Sequence, residues 1–343
     1  MKSNSFIATV LLAALLLCGA SAHAQKSKSQ STGQGAGRGQ GVGKGEGEGE
    51  SQQGSEAVVA TTNTVNVSLT TGAGRISVHG WDRSEVRAQT RSADTKIEMR
   101  KDVGTDAANP AMRLEILVSN KSEDGETEDD SCNTDTDVMV EVPRGATVYL
   151  QTQDGDVEVD DVAEAHIETI DGRIEARRIA KAIDASSVGG NMALEDAKGR
   201  ARLSSVNGVI EASNLHPLDG SDFLKIKTVS GDILLDEVGQ ARVEASTISG
   251  ELRLMGTLAR GGIYEFTTTN GDVSMLLPAE SSFRLNAKVS EGGEIITEFP
   301  LKYKGAASPI SLLQAGRLLG TYGSGDATIN LVSFSGTLRL KKQ

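Results

Sequence analysis

The sequence is poor in cysteine and in aromatic residues. Cys18 and Cys132 are its two cysteines, and Phe, Trp and Tyr together make up 3% of its 343 residues. Only Cys132 lies beyond the N-terminal segment, and a lone thiol cannot form an internal disulfide, so packing must stabilise the chain. Sugar-binding sites usually stack rings on aromatic side chains, and this composition offers few of them.

Long apolar runs and catalytic motifs are also missing. No segment has eighteen apolar residues in a row, which predicts a chain without a transmembrane helix. There is no Gly-x-Ser-x-Gly, no Walker loop, no His-Glu-x-x-His and no Cys-x-x-Cys. The formal net charge of −12 disfavours nucleic acid and anionic lipid surfaces as partners. We therefore predict no enzyme, and neither catalytic residues nor a cofactor or metal site.

Residues 1–24 have the pattern of a signal peptide. Lys2 supplies a positive charge, Phe6 to Leu17 is almost entirely apolar, and Ala22-His23-Ala24 fits the cleavage rule. A leucine, instead of a small residue, precedes Cys18, so ordinary cleavage before Gln25 is preferred to lipidation. The chain is thus predicted to cross the cytoplasmic membrane and to reside in the periplasm, on the cell surface or outside the cell.

Residues 25–56 consist mostly of Gly, Gln, Ser, Lys and Glu, and Val42 is the only large apolar residue among them. Almost nothing there can be buried to offset the entropy of ordering, which predicts a flexible tether.

Beyond residue 57 the chain repeats itself around glycines. From Gly155 the spacing is 17 to 23 residues, with one step of 43 between Gly293 and Gly336 that we interpret as two repeats. The residue before the glycine is commonly Asp, Asn or Ser, which favours a tight turn. The ten anchors are Gly74, Gly155, Gly172, Gly190, Gly208, Gly231, Gly250, Gly271, Gly293 and Gly336.

The positions around each glycine are also repeated. The residues two and four after it are apolar, except Thr297, and those between are mostly polar, which is typical of a strand with one buried face. The residue five before it is apolar except at Lys288, where an extra residue, a bulge, is predicted. The residue three before it is always Ser or Thr. This hydroxyl column is Thr71, Thr152, Thr169, Ser187, Ser205, Thr228, Thr247, Thr268, Ser290 and Ser333.

Two all-β arrangements fit these repeats, a meander of hairpins and a β-solenoid. A hairpin turn imposes no identity on one column of successive hairpins, whereas stacking of coils does. We therefore predict a β-solenoid, a single-stranded β-helix of about 18–22-residue coils over residues 144–343. Eleven coils at about 4.8 Å each would form a rod on the order of 50 Å long. The hydroxyls are predicted to bond one another between coils.

The segment 57–143 is predicted to be a less regular part of the same β body. It contains a very acidic stretch, residues 122–137, which we interpret as a surface loop. Helical periodicity occurs only in Ile310 to Leu319. The chain ends in Lys341-Lys342-Gln343, which would place charge on the last coil.

A family resemblance rests on several short motifs: Gly74-Arg75-Ile76-Ser77-Val78 with Gly80-Trp81-Asp82, Val140-Glu141-Val142-Pro143-Arg144-Gly145, the repeat Thr228 to Ile233, and the ending Leu331 to Gly336. From about Thr61 to Leu340 the chain resembles the bacterial DUF4097 family, described as candidate adhesins with β-strand repeats. The resemblance implies surface adhesion and supplies no catalytic residues.

Some polar residues deserve a test as site candidates. His79, His166 and His216 fall at unrelated repeat positions, which favours surface histidines over a metal site. The single Trp81 lies in the irregular part. Acidic side chains could form a sugar-cleaving site on an outer face, although a solvated charged face is the preferred interpretation: Asp156, Glu158, Glu175, Glu211, Asp232 and Glu251. Other acidic residues could bind calcium weakly but lack an EF-hand spacing: Glu123, Asp124, Glu126, Glu128, Asp129, Asp130, Asp135 and Asp137.

Three functions remain open. The first is a non-enzymatic surface or envelope interaction module, adhesin-like, whose ligand is a protein or a glycan. The second is a carbohydrate-active β-helix enzyme. The third is an envelope scaffold that self-associates end to end, because an uncapped coil exposes strand edges.

Overall fold

The computed structural model describes residues 54–102, 111–120, 134–303 and 316–343. The predicted signal peptide, nearly all of the predicted tether, Cys132 and most of the acidic stretch lie outside these residues. The segment Gly54–Gln343 forms one compact unit. Over the described ranges its regular structure is all β-strand. Nothing in these ranges is a helix long and apolar enough to cross a membrane.

The strands form two long sheets that face each other. Sheet B contains β1 (Glu56–Ala73), β4 (Thr95–Lys101), β5 (Ala111–Asn120), β7 (Thr147–Asp154), β9 (Glu164–Asp171), β11 (Ala182–Ser187), β13 (Arg200–Ser205), β15 (Phe223–Lys227), β17 (Arg242–Ser249), β19 (Ile263–Asn270), β21 (Phe283–Val289), β23 (Arg317–Tyr322) and β24 (Ala327–Ser335). Sheet A contains β2 (Ile76–Trp81), β3 (Glu85–Thr90), β6 (Val138–Pro143), β8 (Val157–Asp160), β10 (Ile174–Arg177), β12 (Met192–Glu195), β14 (Ile210–Leu215), β16 (Ile233–Val238), β18 (Leu252–Met255), β20 (Val273–Leu277), β22 (Ile295–Thr297) and β25 (Leu338–Lys342). The first residues of β1 also pair with β3.

Each regular repeat is one coil of a β-solenoid. A sheet B strand leads through the glycine turn to a sheet A strand, and a second corner returns the chain to sheet B one layer further on. Neighbouring coils pair in parallel and in register, so that Ala185 lies opposite Ile167 on one side and Leu203 on the other. The predicted solenoid is confirmed and the hairpin meander is wrong.

The core fills the space between the two sheets. The apolar positions after the glycine are buried, as at Ile174, Ile210 and Ile233, while Glu211 between them is exposed. The predicted extra residue near Lys288 is confirmed, because Val289 is buried opposite Ser333 and Ser290 is exposed. Val289 therefore takes the place that a hydroxyl occupies in the other coils.

The glycine column is explained by close packing more than by turn geometry. A Cβ built on Gly231 would lie 1.9 Å from the carbonyl oxygen of Gly208, and one on Gly250 would lie 2.0 Å from that of Gly231. The same contact, with a distance of 2.2 Å or less, recurs for every stacked pair from Gly74–Gly155 to Gly336–Gly293. No side chain fits between main chains that approach so closely.

The hydroxyl column points inward as predicted, but its hydrogen bonds do not run between hydroxyls. Apart from Ser290, its members are buried. The Ser205, Thr247 and Ser333 hydroxyls donate to glycine carbonyls of the adjacent coil, at 3.5, 3.2 and 3.2 Å. Identical side chains on neighbouring strands stay about 4.8 Å apart, which is too far for a hydrogen bond. The predicted hydroxyl ladder is therefore wrong in its partners.

Four buried hydroxyls of the column have no hydrogen-bond partner, Thr228 among them. Valine has nearly the same shape and removes the unsatisfied group, so Thr228→Val is expected to raise the free energy of unfolding by about 1 kcal/mol. Thr247→Val breaks the bond to the Gly231 carbonyl and is expected to lower it by about 1 kcal/mol. Urea unfolding of both variants measures the difference, and equal shifts of the midpoint would contradict the assignment of partners.

The second corner is built on left-handed residues. Asp161, Arg178, Asp196, Asn214 and Glu237 have φ between 48° and 59°, and they occupy one repeat position in successive coils. Asp and Asn tolerate this region, whereas Arg178 and Glu237 are held there at a cost by the stack around them.

The stack does not follow chain order at its C-terminal end. The last coil, β24 and β25, pairs directly with β19 and β20, and β21 and β22 pair on its far side. Gly336 therefore follows Gly271 in the stack. The interval between Gly293 and Gly336 contains the antiparallel strand β23 instead of a second parallel coil, so the interpretation of the 43-residue step as two repeats is wrong. The charged end Lys341-Lys342-Gln343 does not cap the rod. Arg317–Tyr322 is strand β23, so the helical interpretation of Ile310 to Leu319 is wrong for residues 317–319, and residues 310–315 lie outside the described part.

The N-terminal end is arranged in the same way. The coil of β1 and β2 lies between that of β5 and β6 and that of β7 and β8. The ends of sheet B are formed by antiparallel strands, β4 against β5 and β23 against β21. Lys302 makes two main-chain hydrogen bonds with Thr321 and covers part of the outer edge of β23. The end strands therefore bear little resemblance to the uncapped coil expected for end-to-end association.

Candidate interaction surfaces

The predicted carboxylates lie on the outer face of sheet A or in the glycine turn, and two of them have a structural role. The Asp156 carboxylate accepts a hydrogen bond from the Arg173 main-chain N–H of the next coil, and Asp232 accepts one from Glu251. Asn191 and Asp272 do the same for Val209 and Thr337, so every second coil carries this contact. These side chains satisfy main-chain donors at the turn and are not free for chemistry.

Two other predicted carboxylates, Glu175 and Glu251, are paired with arginine. Glu158 and Glu175 face each other on adjacent strands, and Arg173 and Arg177 contact Glu175 at 3.2 and 3.4 Å. Glu251 is 3.0 Å from Arg253.

Two carboxylates remain: Glu158 is exposed on the strand next to Glu175, and Glu211 is exposed and lies opposite Leu234. The sheet A face thus brings carboxylates together and balances part of them with guanidinium groups, as expected for a solvated face.

The three candidate histidines lie on separate parts of the surface. The His166 ring stacks on the Tyr149 ring at 4.7 Å between centroids and 4° between planes. His216 is exposed beside Lys198 at the second corner. His79 is exposed on sheet A, and its Nδ1 is 3.3 Å from Asp160. No two of these three histidines share a site.

His79 belongs to a polar cluster that sequence reasoning missed. Its Nδ1 and carboxylate oxygens of Asp160 and Asp161 lie within 4.8 Å of one another, a spacing that could hold a metal ion. Arg144 contacts Asp161 at 2.7 Å, and Arg178 contacts both aspartates. Burial opposes ionisation of Asp161, but hydrogen bonds from the two arginines outweigh it and hold its pKa below the usual value.

The charge of this cluster is balanced without a metal ion, because two guanidinium groups already neutralise the two carboxylates. A metal ion would have to displace them, so the residues fit a metal site poorly. The signal was present in the sequence, since His79 and Asp160 stand at the same repeat position. Of the acidic stretch, only Asp135 and Asp137 lie in the described part, and Asp137 accepts a hydrogen bond from the Arg75 N–H.

The single tryptophan is held by its neighbours. Trp81 Nε1 donates to the Glu85 carbonyl oxygen at 2.8 Å, and the guanidinium carbons of Arg83 and Arg87 lie 4.7 and 5.7 Å from its ring centroid. The arginines occupy the space over the ring that a sugar would need.

The glycine turn carries an exposed apolar stripe on sheet B. The residue two before the glycine points outward, and the main chain around it is hydrogen-bonded from coil to coil, as from the Val188 N–H to the Ile170 carbonyl oxygen at 3.3 Å. Ile170, Ile248 and Phe334 are 41%, 45% and 48% exposed. The stripe consists of Ile170, Val188, Val206, Val229, Ile248 and Phe334. Its first five members occupy successive coils, which makes it about 20 Å long over that part.

Comparisons with known proteins give a family match and a structural match. A family model described as Toastrack DUF4097 matches residues 112–341. A solved protein from Clostridium sporogenes ATCC 15579, proposed to act in cell adhesion, is similar over 85% of this chain and 100% of its own, at 11% identity and a TM-score of 0.22. No curated protein matches.

Proposed function

Because this chain belongs to the Toastrack DUF4097 family, we propose that it is an exported, non-enzymatic interaction module, adhesin-like, that binds its ligand on the outer face of the solenoid. The observation that carries the proposal is the apolar stripe, which presents the side chains of Ile170, Ile248 and Phe334 to solvent, with half-buried valines between Ile170 and Ile248. Contiguous exposed apolar surface is a common feature of interaction sites.

The other two functions have less support. Four of the six predicted carboxylates, Asp156, Asp232, Glu175 and Glu251, are paired with arginine or bonded to main chain, which disfavours a sugar-cleaving acid and base. In the part of the chain that the structure describes, antiparallel strands form both ends of sheet B, which disfavours an end-to-end scaffold. The N-terminal pattern ending at Ala24 supports export to the periplasm, the surface or the medium.

The stripe can be tested with a binding panel. The purified protein is applied to arrays of glycans and of extracellular-matrix proteins, and the ligands retained are recorded. The triple variant Ile170→Ser, Val206→Ser and Ile248→Ser is expected to lose most of the binding to stripe-dependent ligands. The matched control changes outward neighbours on the same coils, Glu168→Gln, Ser204→Ala and Ser246→Ala, and is expected to bind as the unchanged protein does.

Two outcomes would contradict the proposal. One is that the purified protein binds none of the glycans and none of the matrix proteins. The other is release of reducing ends when the protein is incubated with polysaccharides, which would favour the carbohydrate-active enzyme instead.

A further inference from the structure

A basic depression lies on the outer face of sheet B at the C-terminal end of the stack. It encloses about 350 Å³ beside strands β24, β21 and β23. Arg284, Lys302 and Arg317 contribute its charged side chains, and Asn286, Thr321 and Thr328 contribute amide and hydroxyl groups. The volume is near the lower end of the range for small-ligand sites.

Strand pairing brings these cations together. In the antiparallel pair of β21 and β23, Arg284 lies opposite Thr321 and Lys288 lies opposite Arg317. Two main-chain hydrogen bonds, of 2.8 and 2.9 Å, hold Lys302 against Thr321 at the outer edge. Like charges directly opposite each other destabilise a strand pair, so the Lys288–Arg317 pair has a cost that the fold does not explain.

The cations of the depression have no ionic partner, unlike several arginines on the other coils. Arg173, Arg177, Arg202, Arg253 and Arg339 each lie within 3.2 Å of a carboxylate. Within the ranges that the structure describes, Arg284, Lys288, Lys302 and Arg317 form no ion pair. Four uncompensated positive charges therefore meet on one face of a chain whose net charge is −12.

We propose that this depression binds an anionic carbohydrate, a sugar that carries carboxylate, sulfate or phosphate groups. Guanidinium and ammonium groups pair with such anions, and Asn286, Thr321 and Thr328 can hydrogen-bond ring hydroxyls. Leu319, which is partly exposed beside them, offers an apolar surface for ring C–H groups. The acidic remainder of the chain repels a long polyanion such as nucleic acid, which favours a short charged ligand. This assignment rests on the proposed role as an interaction module and names its ligand class.

The test is a titration at low salt with four probes: an oligogalacturonide, an oligosaccharide of dextran sulfate, neutral dextran and poly-glutamate. We expect the protein to bind the oligogalacturonide or the dextran sulfate oligosaccharide, with an affinity that falls as salt is added, and not to bind neutral dextran. The double variant Arg284→Gln and Arg317→Gln is expected to bind the anionic saccharide at least about tenfold more weakly.

The control variant is Arg242→Gln and Arg260→Gln, which removes the same charge from exposed sites outside the depression. It is expected to change the affinity by less than about twofold, because only bound charges contribute strongly. Thermal unfolding checks that both variants are folded. Arg317→Gln also removes the contact of like charges with Lys288, so it is not expected to lower the unfolding midpoint.

The following results would overturn the inference. Absence of binding to both anionic saccharides does so, as does equal binding by the two double variants. Binding of poly-glutamate alone would assign the depression to an acidic peptide. If the stripe-dependent ligands of the panel still bind in any of these cases, the proposed function stands and only the ligand class fails.

Discussion

Replacement of Gly231 by alanine will lower the free energy of unfolding by more than about 3 kcal/mol. The added Cβ would lie 1.9 Å from the Gly208 carbonyl oxygen and 2.7 Å from its carbonyl carbon, and both belong to main chain that hydrogen bonds hold in place. The φ of Gly231, 154°, adds strain for any residue with a side chain. Relief requires the two coils to separate, which breaks pairing on both sheets.

The control is Gly220→Ala. Gly220 lies in the corner between β14 and β15, and a Cβ there would meet no atom within 4 Å. Its substitution is expected to change the stability by less than about 0.5 kcal/mol. Chemical unfolding followed by circular dichroism measures both variants. A loss at Gly231 no larger than that at Gly220 would contradict the close approach of the main chains.

Ile210→Asp will unfold several coils. Ile210 is fully buried and lies opposite Met192 and Ile233 on the neighbouring strands, so an aspartate there has no polar partner among its stacked neighbours. A buried carboxyl group in apolar surroundings costs several kcal/mol, whether it stays charged or takes up a proton. The expected loss exceeds about 3 kcal/mol and is measured by urea unfolding.

Its matched control is one residue further along the same strand. Glu211 points to solvent, and Glu211→Lys is expected to change the stability by less than about 0.5 kcal/mol. If the two substitutions lowered the unfolding midpoint equally, the inward and outward faces of β14 would be misassigned.

The solenoid was predictable because stacking acts on columns. Each inward position of a coil meets the same position of its neighbours, so glycine, hydroxyl and apolar residues recur at fixed distances in the sequence. The misfit at Lys288 was readable for the same reason, since one extra residue shifts the alternation until the next glycine. His79 and Asp160 also stand at the same repeat position and therefore lie side by side, but this contact was not predicted from the sequence.

The order of the coils was not predictable in this way. A coil exposes similar inward and outward columns wherever it lies in the stack, so the repeat pattern does not distinguish β24 on β19 from β21 on β19. Strand β23 was missed for two reasons. Its first half, residues 317–319, belongs to the stretch Ile310 to Leu319, which has helical spacing, and an antiparallel strand at the end of the stack needs no glycine turn. The basic depression was missed with it.

The hydrogen-bond partners of the hydroxyl column are set by the spacing between neighbouring coils. A repeated hydroxyl indicates an inward stack, but parallel coils keep equal atoms about 4.8 Å apart, so Ser205 and Thr247 bond glycine carbonyls instead. The contact between glycines is likewise a property of the assembled coils, and the sequence alone suggested only a turn.

Engineered disulfides test the stacking order, on which both the solenoid and the basic depression depend. Glu265 in β19 lies opposite Asn330 in β24, and Asn286 in β21 lies on the far side of Asn330. Stacked neighbours are about 4.8 Å apart, within the range for a disulfide, and second neighbours are about 9.6 Å apart, outside it. In a chain with Cys18 and Cys132 replaced by serine, the pair Glu265→Cys and Asn330→Cys should oxidise fully, and the pair Glu265→Cys and Asn286→Cys should not. The reverse result, measured by mass spectrometry of the oxidised protein, would place β21 directly on β19 and contradict the stack described.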